Sequence, residues 1–164
     1  MSKLKNTRGL GALVVSIIAV VAAVVGNAAA AGSSGPVTKT FNFTSTTNNN
    51  TTTLFSADGL TVNARCDPQN APVIFAFTSA FNSDLLGHVI DGSGHVHLIA
   101  NDSFNKFGKG VSLAPNITGD RDASGTLVYS TFAGKVVSVT YAFDNSPTFG
   151  GKKVCTVYGT YVAK

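Results

Sequence analysis

The chain has 164 residues, with twelve Lys and Arg against eight Asp and no Glu, a formal charge of +4. Three of the basic residues, Lys3, Lys5 and Arg8, precede the first apolar run, so the chain from Gly32 onward is nearly neutral. Nothing in that balance argues for nucleic-acid binding, which needs a clustered basic face. The lack of Glu, a single Gln (Gln69) and the abundance of Thr, Val, Phe and Tyr favour pleated strands over helices.

Residues 1–31 read as a signal peptide. A basic start is followed by an uncharged apolar run from Gly9 to about Val25 and by the small residues Ala28-Ala-Ala-Ala31-Gly32, the order of a secretory leader. Cleavage is expected near Ala30 or Ala31. The run is roughly 18 residues, close to the minimum that spans a bilayer, so an uncleaved anchor is the alternative. No second long apolar run follows, and the mature part is expected to have no integral membrane span. Residues 32–36 form a flexible lead-in, and residues 37–164 a single β domain large enough to bury a core.

In chain order, Val37–Ser45 alternates loosely around Phe41 and Phe43 and predicts a first strand. Thr46–Thr53 is a polar loop or hairpin tip. Ala57-Asp58-Gly59 is a hairpin turn signal. Leu60–Cys66 alternates cleanly, with Leu60, Val62, Ala64 and Cys66 on a core face. Val73–Phe81 is a more continuous apolar strand that places Phe75 and Phe77 in the core. Leu85–Ile90, a turn at 91–94 and His95–Ala100 follow, with Val96, Leu98 and Ala100 expected to face inward. Asn101–Gly110 reads as a loop holding Phe104 and Phe107, Val111–Leu113 as a short strand and Asp120–Gly125 as a turn. Thr126–Phe132 and Lys135–Phe143 form the clearest hairpin, with Phe143 in the core. After a Pro/Gly loop at 145–151, Lys153–Val162 is the last strand, with Cys155, Val157 and Tyr161 on one face. About eight or nine short strands joined by turns predict an all-β fold, an antiparallel β-sandwich or a closed β-barrel.

Both cysteines, Cys66 and Cys155, lie after the leader. An even count in an exported chain predicts a disulfide. It would close a loop of about ninety residues, for which chain entropy gives about 4–5 kcal/mol in a model-dependent treatment. Two separate buried thiols are the alternative. A metal pair is disfavoured because no His or third Cys stands at ligand spacing beside either one.

Three histidines stand close in sequence. His95 and His97 share a strand face, and His88 lies across the turn. Three imidazoles on one face suit zinc or copper, with Asp84, Asp91 or Asp102 orienting a ring nitrogen; the plainer expectation is three solvent-facing strand residues. Asp120-Arg-Asp122-Ala-Ser124-Gly has the form of a calcium loop, but position twelve is Thr131 rather than a bidentate Glu, and a plain turn accounts for it. Ser93, beside His95, lacks the strand–elbow–helix setting of a hydrolase nucleophile; turn chemistry explains Asp91-Gly-Ser-Gly94. Phe104 and Phe107 suit either a ligand groove or packing of the loop onto the sheets. Asn-x-Ser/Thr triplets begin at Asn42, Asn49, Asn50, Asn101 and Asn116. No cofactor motif, phosphate-cradling loop or catalytic carboxylate pair is present in the sequence.

The segments Leu54-Phe-Ser-Ala-Asp-Gly-Leu-Thr-Val-Asn-Ala-Arg-Cys66, Gly125-Thr-Leu-Val-Tyr129 with Val136-Val-Ser-Val-Thr-Tyr141, and Cys155-Thr-Val-Tyr-Gly-Thr160 together resemble a group of uncharacterised secreted β-domain proteins of actinobacterial type. The resemblance covers about half of the mature chain. It implies an exported β domain with one disulfide, and carries no activity, cofactor or catalytic residue.

The expected function is therefore that of an exported, non-enzymatic β domain that binds or builds at the cell surface or in the medium. The alternatives are a metal-binding or metal-dependent role through His88, His95 and His97, and a small apolar-ligand carrier, which needs a closed barrel with an empty interior.

Overall fold

The structure, a computed structural model, describes residues 35–46, 50–114, 122–145 and 147–164. The expected leader and Asp120 lie outside them. Among the described residues there is no helix, and therefore none long and apolar enough to cross a membrane. The strands are β1 (Val37–Thr46), β2 (Thr52–Ala57), β3 (Leu60–Cys66), β4 (Pro72–Thr78), β5 (Ser83–Asp91), β6 (Val96–Phe104), β7 (Val111–Ser112), β8 (Ala123–Thr131), β9 (Val136–Asp144), β10 (Thr148–Phe149) and β11 (Lys152–Ala163).

The larger sheet runs β1-β11-β9-β8-β5-β6, with β10 flanking β11; the smaller runs β2-β3-β4-β7. Every pairing is antiparallel. β1 and β6 end the larger sheet without meeting, so the fold is an open sandwich and not the closed barrel.

Alternation explains why these segments pair as they do. On β9, Val137, Val139, Tyr141 and Phe143 are buried, while Val136, Ser138 and Thr140 are exposed. On β3 the inward set is Leu60, Val62, Ala64 and Cys66, as the sequence predicts. Inward residues of the two sheets fill the space between them, with Tyr129, Phe104, Phe143 and Leu60 among the largest fully buried side chains. That filling occupies the interior an apolar-ligand carrier would need empty.

Asp58 (φ 47°) and Gly59 (φ 96°) make the two-residue turn between β2 and β3, both with the positive φ that a tight hairpin asks for. Cys66 and Cys155 form a disulfide with Cα atoms 5.9 Å apart. It joins β3 of the smaller sheet to β11 of the larger.

Several sequence expectations are overturned. On β4 the inward residues are Ile74, Ala76 and Thr78. Phe75 is half-buried and Phe77 is 38% exposed on the outer face. Pairing with β3 sets this phase, because Val62 faces Ala76 and Ala64 faces Ile74. On β6 the phase is likewise inverted: Ile99 is buried, whereas Val96, Leu98 and Ala100 face outward. Its neighbour β5 dictates this, with Val89 opposite His97 and Leu86 opposite Ala100. Phe104 ends β6 in the core, perpendicular to Tyr129 at 6.1 Å, so it is no loop residue and lines no groove. Residues 123–125 begin β8 rather than forming a turn.

Candidate functional site

The three histidines do not converge: His95 and His97 meet at Asp91, and His88 stands apart. His88 points out of the larger sheet, its Nδ1 3.4 Å from Thr126 Oγ1. His97, of opposite parity on the paired strand, lies towards the other side of the sheet. Its Nε2 is 3.0 Å from Asp91 Oδ2, and His95 Nδ1 is 3.4 Å from the same oxygen. Asp91 Oδ1 accepts from the backbone N–H groups of Ser93 and His95, both at 2.9 Å. These contacts lower the Asp91 pKa from 3.8 to about 2: the His97 ring contributes most, then the His95 N–H, against an opposing desolvation. The cluster locks the β5–β6 turn. Ser93 takes part through its backbone only. Among the described residues no three His, Cys, Asp or Glu are grouped so as to hold a metal. Asp122 precedes β8, and Ser124 faces outward on it; Asp120, their expected companion, lies outside the described residues.

A different cluster forms where four connections meet at one end of the sandwich. The Ser79 N–H donates to the Gly59 carbonyl at 2.9 Å, Lys106 N–H to Ala80 at 2.8 Å, and Phe132 N–H to Asn82 at 3.2 Å. Lys135 Nζ lies 3.4 Å from Asp58 Oδ1. The β2–β3, β4–β5, β6–β7 and β8–β9 connections are thus tied side by side. Beneath them the Thr78 and Tyr129 hydroxyls share a buried hydrogen bond of 2.7 Å. The Ala80 N–H donates to Thr78 Oγ1 at 3.0 Å, and the Ser83 hydroxyl donates to the Phe104 carbonyl.

Three phenylalanines stand on this base with their rings in solvent. Phe81 is 59% exposed, Phe107 80% and Phe132 95%. Phe81 and Phe107 meet edge to face at 5.5 Å, and Lys106 Nζ sits 3.7 Å above the Phe81 ring. Between Phe81 and Phe132 lies a cleft of about 340 Å³, with Asn82, Asp84, Asp102 and Asn105 supplying polar groups. A second cleft of about 250 Å³ lies against the same two rings, beside Ala80 and Ala133. Apolar walls with a few convergent polar groups, carried on loops over a rigid frame, characterise ligand-binding sites.

In sequence, Phe81 and Phe132 read as strand ends, and only Phe107 of the three stands out as a candidate. The available signal was position. Phe132-Ala-Gly134 and Phe107-Gly108 put an aromatic ring beside the small residues of a turn, where no core requires it.

Comparison with family models, curated proteins and solved structures finds no match to this chain.

Proposed function

We propose that this protein is an exported, non-enzymatic β-sandwich that binds saccharide through the loop end of its fold. The observation that carries the reading is the convergence of exposed Phe81 and Phe132, from two separate connections, on a cleft lined by carboxylates and amides, with exposed Phe107 of a third connection against the Phe81 ring. Such rings are costly in water and gain by being covered. A sugar ring offers a flat C–H face to Phe81 or Phe132 and a rim of hydroxyls to Asp84, Asp102, Asn82 and Asn105. Carboxylate and amide oxygens accept from those hydroxyls, and the amide NH₂ groups donate to them. Export is supported by the leader pattern in residues 1–31 and by the disulfide, which persists in oxidising compartments.

The test is a binding panel of soluble and insoluble glycans with the mature protein, beside its Phe132→Ala and Asp102→Asn variants. Both positions are exposed, so the fold should stand. Binding of at least one glycan, weakened about tenfold or more by each substitution, is the expected result. Turnover of glycoside, ester or peptide substrates, or glycan binding indifferent to both variants, would refute the reading.

A further inference from the structure

We propose that the outer face of the larger sheet docks a second copy of this chain. The face is built by the outward residues of β1, β11, β9, β8, β5 and β6. Its register sets Thr40, Thr160, Thr140 and Thr126 in one row across four strands, and the row continues through His88 to Leu98. On either side of the row lie large apolar side chains. Among the described residues thirteen large hydrophobics are exposed, and eight of them share this face: Leu86, Ile90, Val96, Leu98, Val128, Val136, Tyr158 and Val162. Leu98, the most exposed of these at 80%, stands opposite His88, and Leu86 stands opposite Val128.

The choice of a second copy rests on area and charge. Six strands about 4.8 Å apart, with roughly nine residues of about 3.3 Å each, make a field of about 700 Å². A standard interface takes about 800 Å² from each partner, so this sheet face is of the right order. A twofold interface sets a patch against itself, and any charge near the axis then meets its own copy. This field satisfies that condition. Asp84, Asp102, Asp144 and Lys164 lie at its rim; between them its outward residues include no Lys, Arg or Asp, and His88 is its one imidazole. The loop-end cleft, with its carboxylates and amides, has the opposite chemistry. Asp84 and Asp102 bring that cleft to the rim of the face, outside the apolar field.

The test is sedimentation velocity of the mature protein across a concentration series reaching about 100 μM, with Leu98→Lys and Val128→Lys variants. Both positions are exposed, and circular dichroism and thermal unfolding of each variant should match wild type. The wild type is expected to reach twice the protomer mass, and each variant to remain at protomer mass while keeping the ligand binding of the loop end. Phe132→Ala should still dimerise, so this inference and the proposed function fail separately. A wild type that stays monomeric throughout, or a dimer indifferent to both lysines, would overturn the proposal. So would a monomer that adsorbs to lipid vesicles or insoluble polysaccharide in a Leu98-dependent way, which would assign the face to that occupant instead.

Discussion

The Thr78 hydroxyl and the Tyr129 phenol, 51 residues apart in sequence, meet at 2.7 Å inside the protein and join the smaller sheet to the larger beneath the loop end. The disulfide joins the same two sheets near the other end of β3, away from Gly59. One end of the sandwich is pinned by a covalent bond and the other by a buried polar cluster. The exposed phenylalanines stand over the polar cluster.

Tyr129→Phe removes that inter-sheet hydrogen bond and leaves the ring in place. A buried bond of this kind contributes about 1–2 kcal/mol, including the cost of the stranded hydroxyl. Urea unfolding should register a loss of that size. Because Thr78 also receives the Ala80 N–H, loosening it should weaken ligand binding at the cleft as well.

Replacing Cys66 and Cys155 together by Ala should lower stability by about 2–5 kcal/mol, read as a lower midpoint in denaturant unfolding. The native protein should titrate with no free thiol, since the chain has only these two cysteines.

Asp91 should make the β5–β6 turn acid-sensitive. Its folded pKa, about 2, lies below the ordinary 3.8. The ionised form is therefore favoured by folding. The stability it adds is fully present above about pH 4 and disappears as the pH falls through about 2. Amide exchange of Ser93 and His95 followed between these pH values should rise in the wild type. In Asp91→Asn the rise should be largely absent.

Gly159→Ala should be among the most damaging small substitutions in the chain. A Cβ there would collide with the Thr140 carbonyl oxygen and stand 2.7 Å from the Phe41 ring. Phe41 packs on Phe55, which stacks on Tyr161 at 4.3 Å, so the ring has little room to retreat. Overpacking of this kind costs about 1–3 kcal/mol, and a thermal melt should show it.

The two-sheet fold was legible wherever one strand face is buried and the other wet. Leu60–Cys66 and Val136–Phe143 alternate without interruption, and a period of two then assigns each residue to a face. Asp58-Gly59 was legible because few pairs so readily take positive φ. Val73-Ile-Phe-Ala-Phe77 is apolar at every position, so its phase is set by β3 and not by its own residues. His95-Val-His-Leu98 alternates, yet its apolar residues face outward, because Ile99 and the pairing with β5 fix the opposite phase. The candidate site was hardest to read. A loop phenylalanine and a core phenylalanine look alike in sequence, and only the meeting of distant connections separates Phe107 from Phe104.

The most direct measurement of the central claim is an amide-resolved NMR titration of the mature protein with the glycans of the binding panel. The account predicts saturable shifts concentrated at Phe81, Asn82, Asp102, Asn105 and Phe132, with the Asp91 turn at the other end unmoved. Saturable shifts confined to any other part of the molecule, or none with any glycan, would contradict it.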